Sequence, residues 1–427
     1  MKNFIFFSIK NFSVLIFLSF LQFFAISAEK SDKLNSYLLI GASDRSGKGA
    51  VFRCTLEGKN CIEFLGGNKK FKDSSNPTYT TPNLYIGDSF GSSLFIYDNL
   101  IYIGSISRNN KKATDAGSIS SANFKDDVGT IFECKLNGDN CREFIGGHVG
   151  FPNAQDAEGR GMRQFSGDYF GVSLSFYNDK LYAGAYGRDS NSKDETGVLV
   201  RCNADGRGCI EFIGGKNKAT DKNKLFSAYD HFGYSVNINK NKLFVGAKNK
   251  NGGSGAVFKC NLDGSQCSLL NVSNLKLSTN DTFGSDLASN ADNLFVGAMG
   301  RNGYPPSDPE QYDIGAVFKC NSDGNNCSEF LGGQNKSSAR ELGLAQDDFF
   351  GSSIALTSEY IFIGAKGRKD NNDNRVGAVF RCKLDGSECL ELVGGKNQEY
   401  LKSASFELND GEFFGSSLAI VTLSEEN

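Results

Sequence analysis

The feature that most constrains this chain is a thirteen-residue segment that occurs six times with two cysteines at a fixed spacing. Two copies read GAVFKCNLDGSQC (255–267) and GAVFKCNSDGNNC (315–327), and the other copies begin at residues 49, 129, 197 and 377. In every copy a run of β-branched or aromatic residues reaches a cysteine, and an Asn-Gly, Asp-Gly or Glu-Gly pair follows. This pattern is typical of a β-hairpin.

Six residues separate the two cysteines of each copy, and the six pairs use all twelve cysteines. Each pair is centred on the turn, so the two cysteines should face each other across the hairpin. A two-residue turn would place them in a hydrogen-bonded pair, which is wider than a disulfide prefers, so we expect a bulged turn. The predicted disulfides are Cys54–Cys61, Cys134–Cys141, Cys202–Cys209, Cys260–Cys267, Cys320–Cys327 and Cys382–Cys389.

Zinc binding and reduced thiols are the alternatives to disulfides. Zinc needs four ligands, whereas each hairpin offers two thiols and the chain has only His148 and His231 besides. Reduced thiols would suit a cytosolic protein. The compartment therefore decides between thiols and disulfides.

Residues 1–28 have the pattern of a secretory signal peptide. Lysines near the start precede an apolar stretch from Phe12 to Ile26, and small residues end it, which predicts cleavage after Ser27 or Ala28. A signal anchor is the rival interpretation. No second apolar stretch of about twenty residues follows. We therefore expect residues 29–427 to be a soluble, secreted domain whose cysteines are oxidised.

Each hairpin belongs to a longer repeat that predicts four strands. A Phe-Gly strand such as DSFGSSLFI (88–96) comes first, a strand ending in Gly such as IYIGSIS (101–107) follows, and the hairpin and a short strand such as EFIGG (143–147) complete the unit. A single such sheet cannot bury both of its faces, so the sheets must stack, and a β-propeller is the radial solution. A β-solenoid would need shorter and more constant repeats.

The order of the parts predicts how the ring closes. The repeats begin with YLLIGAS (37–43), the second strand of a unit, and end with a lone Phe-Gly strand, GEFFGSSLAI (411–420). If these two segments pair, the chain forms an all-β propeller of six four-stranded antiparallel blades. The net charge of −3 points to neither nucleic acid nor an anionic membrane as a partner.

The succession of a Phe-Gly strand, a Gly-Ala strand and G-A-V-x-x-C resembles the FG-GAP repeat of the integrin α-subunit β-propeller. The resemblance covers about residues 36–421 and recurs six times. It implies an extracellular module that binds protein ligands and partner subunits in cell adhesion, and it keeps a seven-bladed ring open as an alternative. The family's calcium loops are not matched, because the connections YDNL, YNDK, NKNK, NADN and TSEY lack three spaced carboxylates. We expect no metal and no cofactor.

Two charged positions recur in the repeat. An acid that precedes Phe-Gly could serve an enzyme near the axis, or it could cap backbone N–H groups or pair with a neighbouring blade. An arginine that follows the second strand could form a ring that binds an acidic ligand, or it could anchor its own loop or pair with the recurring acid. The acids are Asp88, Asp168, Asp230, Asp281, Asp348 and Glu412; the arginines are Arg45, Arg108, Arg188, Arg301 and Arg368, with Lys250 in the fourth unit.

Three sequons are predicted glycosylation sites: Asn271, Asn280 and Asn335. A fourth, at Asn326, adjoins Cys327 and is the least suitable. Neither histidine lies in a nucleophile motif. The sequence therefore predicts a secreted binding module for an extracellular or cell-surface protein and no enzyme. The alternatives are a hydrolase or lyase that uses axial acids, and a structural protein of a matrix or coat.

Overall fold

The computed structural model describes residues 35–68, 83–110, 126–151, 164–190, 193–215, 225–398, 401 and 407–423. The predicted signal peptide lies outside the described residues. Residues 36–421 form one compact unit.

The described residues form six four-stranded sheets, here called blades 1 to 6 in chain order. Within a blade, the inner strand begins with Phe-Gly and the second strand ends in the Gly-Ala or Gly-Ser pair. The third and outer strands form the cysteine hairpin. Blade 1 consists of β1 (Asn35–Ala42), β2 (Ala50–Thr55), β3 (Ile62–Gly66) and the last strand of the chain, β24 (Phe414–Leu423).

Blades 2 to 6 each use four consecutive strands. Blade 2 contains β4 (Phe90–Tyr97), β5 (Leu100–Ser105), β6 (Thr130–Lys135) and β7 (Arg142–Gly146), and blade 3 contains β8 (Phe170–Tyr177), β9 (Lys180–Ala185), β10 (Val198–Asn203) and β11 (Ile210–Gly214). Blade 4 contains β12 (Phe232–Asn239), β13 (Lys242–Ala247), β14 (Ala256–Asn261) and β15 (Ser268–Leu269), and blade 5 contains β16 (Phe283–Ser289), β17 (Asn293–Ala298), β18 (Ala316–Asn321) and β19 (Ser328–Gly332). Blade 6 contains β20 (Phe350–Leu356), β21 (Tyr360–Ala365), β22 (Ala378–Lys383) and β23 (Leu390–Gly394). Among the described residues, a short helix, α1 (Lys336–Glu341), and 3-10 turns at 45–47, 273–275 and 309–311 lie between strands.

The ring closes as the sequence predicts. Blade 1 has the strand order β24-β1-β2-β3, so the last strand of the chain is the inner strand of the first blade. The all-β six-bladed propeller is therefore confirmed. The seven-bladed alternative is wrong for the described residues, because the 24 strands divide into six sheets of four.

The two ends of the strands form two different faces. Short turns join the inner to the second strand, as at Asp98 and Asn99, which both have positive φ as a type I′ turn requires. These turns and the cysteine hairpins lie on one side, the hairpin face. The longer connections, from the second to the third strand and from one blade to the next, lie on the other side, the loop face.

All six predicted disulfides form, with Cα–Cα distances of 4.0–4.1 Å. The predicted bulge is also present: in the first hairpin Gly58 N–H donates to the Thr55 carbonyl, and Asn60, just before the second cysteine, has a φ of 50°. The same position has positive φ in every other hairpin, at Asn140, Gly208, Gln266, Asn326 and Glu388.

Neighbouring blades touch through glycines. The backbone of the Phe-Gly strand lies so close to the Gly-Ala glycine of the preceding blade that a Cβ on Gly184 would lie 1.8 Å from the Gly233 carbonyl oxygen. The same contact recurs around the ring at 2.0–2.2 Å, between Gly41 and Gly91, Gly104 and Gly171, Gly246 and Gly284, Gly297 and Gly351, and Gly364 and Gly415. No side chain fits at these six positions without moving backbone.

The same Phe-Gly carbonyls accept hydrogen bonds from serines of the preceding blade. Ser417 Oγ of blade 1 donates to the Gly91 carbonyl of blade 2 at 2.7 Å, which joins the end of the chain to its beginning. The other five bonds run from Ser93 to Gly171, Ser173 to Gly233, Ser235 to Gly284, Ser285 to Gly351 and Ser353 to Gly415. The six bonds form a closed circle around the axis.

The serine circle predicts that substitutions at two adjacent serines have different effects on the free energy of unfolding. Ser417→Ala removes the donor of the buried Gly91 carbonyl and should lower the free energy of unfolding in urea by about 1 kcal/mol. Ser416→Ala is the matched control, because the Ser416 hydroxyl has no hydrogen-bond partner within the described part of the chain. Equal stabilities of the two variants would contradict a stabilising role for the circle.

Candidate functional site

The recurring arginine is the centre of a buried ion cluster inside its own blade. In blade 6, Arg368 Nη1 donates to Asp348 at 2.7 Å and to the Gly343 carbonyl at 2.7 Å, while its Nε donates to Glu391 of the outer strand at 2.9 Å. Asp348 also accepts the Ala345 backbone N–H at 2.8 Å. The cluster thus links three parts of the blade: the segment before the inner strand, the end of the second strand, and the outer strand.

The same arrangement recurs in four other blades. Each arginine side chain is only 3–6% exposed and bridges the acid before Phe-Gly and the glutamate of the outer strand. The clusters are Arg45 with Glu412 and Glu63, Arg108 with Asp88 and Glu143, Arg188 with Asp168 and Glu211, and Arg301 with Asp281 and Glu329.

Blade 4 departs from this arrangement at two positions together. Lys250 stands in place of the arginine, and Leu269 stands in place of the outer glutamate. Lys250 Nζ donates to Asp230 at 2.8 Å and to the Leu225 carbonyl at 2.7 Å, which are the two contacts that Nη1 makes in blade 6. A single ammonium suffices here because the outer carboxylate is missing.

The five arginines therefore pair with the recurring acids, as one of the two alternatives from the sequence predicted. Their role as ligand-binding residues stays a prediction, and their burial gives it no support. The acids do not pair with a neighbouring blade, as one alternative held, but with the cation of their own blade. They do not line the central channel either, which is where an enzyme using axial acids would need them.

For four of these acids, burial is the largest influence on the pKa. It raises the pKa of Asp168 to about 6, against the opposing charge of Arg188. It also raises the pKa values of Asp88, Asp281 and Asp348. Such shifts accompany structural ion clusters as well as catalytic groups, so they do not by themselves indicate catalysis.

The ion cluster predicts non-additive substitutions in blade 6. Glu391→Leu leaves one side of the buried Arg368 guanidinium without its carboxylate and should cost about 3 kcal/mol of unfolding free energy. Adding Arg368→Lys reproduces the combination found in blade 4 and should recover about 1 kcal/mol. Urea unfolding of the two single variants and the double variant measures the coupling; additive free energies would contradict it.

The inner strands surround a central channel with a volume of about 530 Å³. Serines and aliphatic residues of these strands form most of its wall. Two charged side chains, Asp286 of blade 5 and Lys366 of blade 6, also line it. The channel wall is thus largely uncharged.

Asp286 occupies the position at which five blades carry the serine of the circle, and in blade 5 the preceding residue, Ser285, donates instead. The Asp286 carboxylate accepts the Ile354 backbone N–H of blade 6 at 2.6 Å. Burial raises its pKa from 3.8 to about 7, although this hydrogen bond and one from the backbone of Leu287 oppose the shift.

Asp286 predicts a pH dependence of stability. Because its folded-state pKa lies above its ordinary value, its contribution to stability is fully present below about pH 4 and is lost as the pH rises through about 7. We expect Asp286→Asn, which cannot ionise, to lose less melting temperature than the wild type between pH 5 and pH 8. Parallel melting curves for the two proteins would contradict the raised pKa.

Aromatic rings and two lysines gather on blades 3, 4 and 6 at the loop-face end of the channel. Tyr186 stacks on Tyr169 with ring centroids 4.7 Å apart and contacts Tyr234 at 5.4 Å and His231 at 5.1 Å. Lys248 Nζ lies 3.9 Å from the centre of the Tyr234 ring. We call Tyr169, Tyr186, His231, Tyr234, Lys248 and Lys366 the mouth cluster.

Sequence reasoning missed the mouth cluster, although the repeat contains a signal for it. The residue after Gly-Ala or Gly-Ser directly follows the second strand on the loop face, and it differs among the blades whereas the residues around it agree. It is Ser43, Ile106, Tyr186, Lys248, Met299 and Lys366 in blades 1 to 6. Variation at one position of a regular repeat marks a side chain that the fold does not specify.

The predicted glycosylation sites lie in blades 4 and 5. Asn271 and Asn280 are exposed, and Asn335 is half-buried at the start of α1, where its side-chain amide donates to the Phe330 carbonyl. Their glycosylation stays a prediction. No helix in the described part of the chain is long and apolar enough to cross a bilayer. Among the described residues, no three His, Cys, Asp or Glu side chains are grouped so as to hold a metal ion.

No protein-family model and no curated protein matches this chain. A chain in the crystal structure of a nidogen/laminin complex is similar to it, with 11% sequence identity, a TM-score of 0.45, and coverage of 91% of this chain and 99% of that one. A similarity this low bears on neither family membership nor function. The resemblance to integrin FG-GAP repeats thus rests on the motifs alone.

Proposed function

We propose that this propeller is an extracellular binding module whose loop face recognises a protein on a cell surface or in the surrounding matrix. The observation that carries the proposal is the difference between the two faces. The loop face carries the long connections, whereas the hairpin face carries short turns and disulfides. Loops held on a rigid scaffold are where binding residues concentrate.

Apolar side chains on the loop face support this assignment. Ile86 is 84% exposed and Tyr229 is 54% exposed, and both precede the inner strand of a blade. Tyr304 and Tyr312, in the connection between β17 and β18, are also exposed. Aromatic residues that remain exposed beside polar loops are typical of protein-binding surfaces.

Two further observations support an extracellular role in adhesion. Six disulfides are typical of proteins that fold in an oxidising compartment. The Phe-Gly and Gly-Ala motifs resemble integrin α repeats, which implies binding to protein ligands. A binding module also needs no catalytic group, and the recurring acids that the hydrolase alternative would use already pair with buried cations.

The test is a screen of the mature chain, multimerised, against cell-surface and extracellular proteins. We expect saturable binding to a defined partner. Ile86→Ser with Tyr229→Ser should weaken this binding by about tenfold or more, because exposed aromatic and aliphatic anchors contribute most to such interfaces. Surface plasmon resonance on purified protein measures the change.

The matched control changes two residues of similar chemistry at the hairpin end of outer strands, Ile62→Ser with Leu390→Ser; these residues are 38% and 40% exposed. This variant should bind like the wild type and melt at the same temperature as the loop-face variant. Loss of binding in the control alone would place the site elsewhere, and self-association without a partner would support a matrix or coat protein.

A further inference from the structure

We propose that the loop-face mouth of the channel binds a carboxylate between Lys248 and Lys366, and that the partner protein inserts one there as an acidic side chain or chain terminus. Insertion of the carboxylate by a partner protein rests on the proposed function, whereas carboxylate binding by the mouth does not. The site combines a cavity with two cations that have no acidic partner among the residues that the structure describes.

The two lysines come from blades 4 and 6, which are separated by blade 5, and both lie near Tyr234. Lys366 of blade 6 lines the channel, as does Tyr234 of blade 4. Lys248 follows β13 of blade 4, and its ammonium lies over the Tyr234 ring at 3.9 Å. Both lysines are half-buried. The mouth therefore holds two positive charges next to a shared aromatic wall.

Neither ammonium forms an ion pair with a described residue. The nearby carboxylate of Glu195 pairs with His231 Nε2 at 2.8 Å, and that of Asp286 accepts the Ile354 N–H farther along the same channel. The contacts of the lysines are with rings, Tyr234 and Tyr186 for Lys248 and Phe349 for Lys366. This distinguishes them from Lys250, which has both an acid and a carbonyl.

Both lysines have lowered pKa values, so their charged forms are disfavoured in this arrangement. Burial lowers the pKa of Lys248 to about 8, and burial together with the charge of Lys248 lowers the pKa of Lys366. A carboxylate placed between the two ammonium groups would offset both effects, since an opposite charge within about 4–6 Å favours the charged form. The placement of the two ammonium groups is thus electrostatically unfavourable in a way that a bound anion corrects.

The surroundings favour a carboxylate on a flat or apolar body. The channel volume of about 530 Å³ is within the range of small-ligand pockets. The tilted rings of Tyr186, Tyr234 and His231 form an aromatic wall beside Lys248. A planar group can pack against this wall while its carboxylate reaches the lysines.

The experiment uses the mature chain with benzoate as the probe, a carboxylate on a flat apolar ring. Titration calorimetry measures affinity, and NMR of protein labelled with ¹³C-lysine follows the two ammonium groups. We expect saturable binding and a rise in the pKa of Lys248. Lys248→Gln and Lys366→Gln should each weaken binding roughly tenfold, the loss expected for a hydrogen bond to a charged group.

Lys369→Gln is the matched control, because Lys369 lies on the same loop face of blade 6 but pairs with Asp373 at 3.0 Å. It should leave benzoate affinity unchanged. No movement of the Lys248 and Lys366 resonances, or an equal loss in Lys369→Gln, would overturn the site.

The source of the carboxylate is tested separately with the partner found on the loop face. Competition between benzoate and the partner, together with loss of partner binding in Lys248→Gln, would assign the carboxylate to the partner protein. Benzoate binding without competition would retain the site for a free small carboxylate and overturn its role in partner binding. Absence of any partner would leave the benzoate result intact and count only against the proposed function.

Discussion

The close approach of backbones between neighbouring blades is the constraint on which the rest of this structure depends. Each Phe-Gly carbonyl oxygen lies only 1.8–2.2 Å from where the Cβ of the preceding blade's Gly-Ala glycine would be, and a serine of that blade donates to the same carbonyl. The contact needs a missing side chain on one strand and a hydroxyl on another. Because each contact joins two blades, the motif must be repeated in every blade before the ring can close.

This constraint separates the stabilisation between blades from the stabilisation within them. Between blades the contacts are glycine packing, the serine circle and the Phe-Gly phenylalanine, which is fully or almost fully buried in all six copies. Within a blade, the disulfide holds the third strand to the outer strand, and the ion cluster holds the end of the second strand to the outer strand and to the segment before the inner strand. The outer strand has no neighbour beyond it, so a covalent and an ionic link are most useful there.

Most of the fold could be predicted from the sequence because it depends on residues that recur. Cys54 and Cys61 predict a disulfide by their spacing, and the terminal half-units predict the pairing of β24 with β1. The pairing of Arg368 with the recurring acid was one of the alternatives from the sequence, but its second partner, Glu391, could not be predicted, because it lies 23 residues away and only the folded blade brings the two together. The variable residue after Gly-Ala marks the mouth positions in the sequence, but the approach of Lys248 to Lys366 could not be predicted, since it depends on how blades 4 and 6 face the common axis.

Because the six blades are built alike, a blade that departs from the common residue at one position can be compared with the other five. When Lys250 replaces arginine, Leu269 replaces the outer glutamate in the same blade, and the remaining acid and carbonyl contacts are kept. Two departures that compensate each other preserve the structure, and they need no further explanation. Lys248 and Lys366 differ from this case, because no acid has appeared beside either of them among the described residues. A charge that the fold does not require and does not neutralise is costly unless another molecule supplies the opposite charge, and this cost is what makes the mouth of the channel a site.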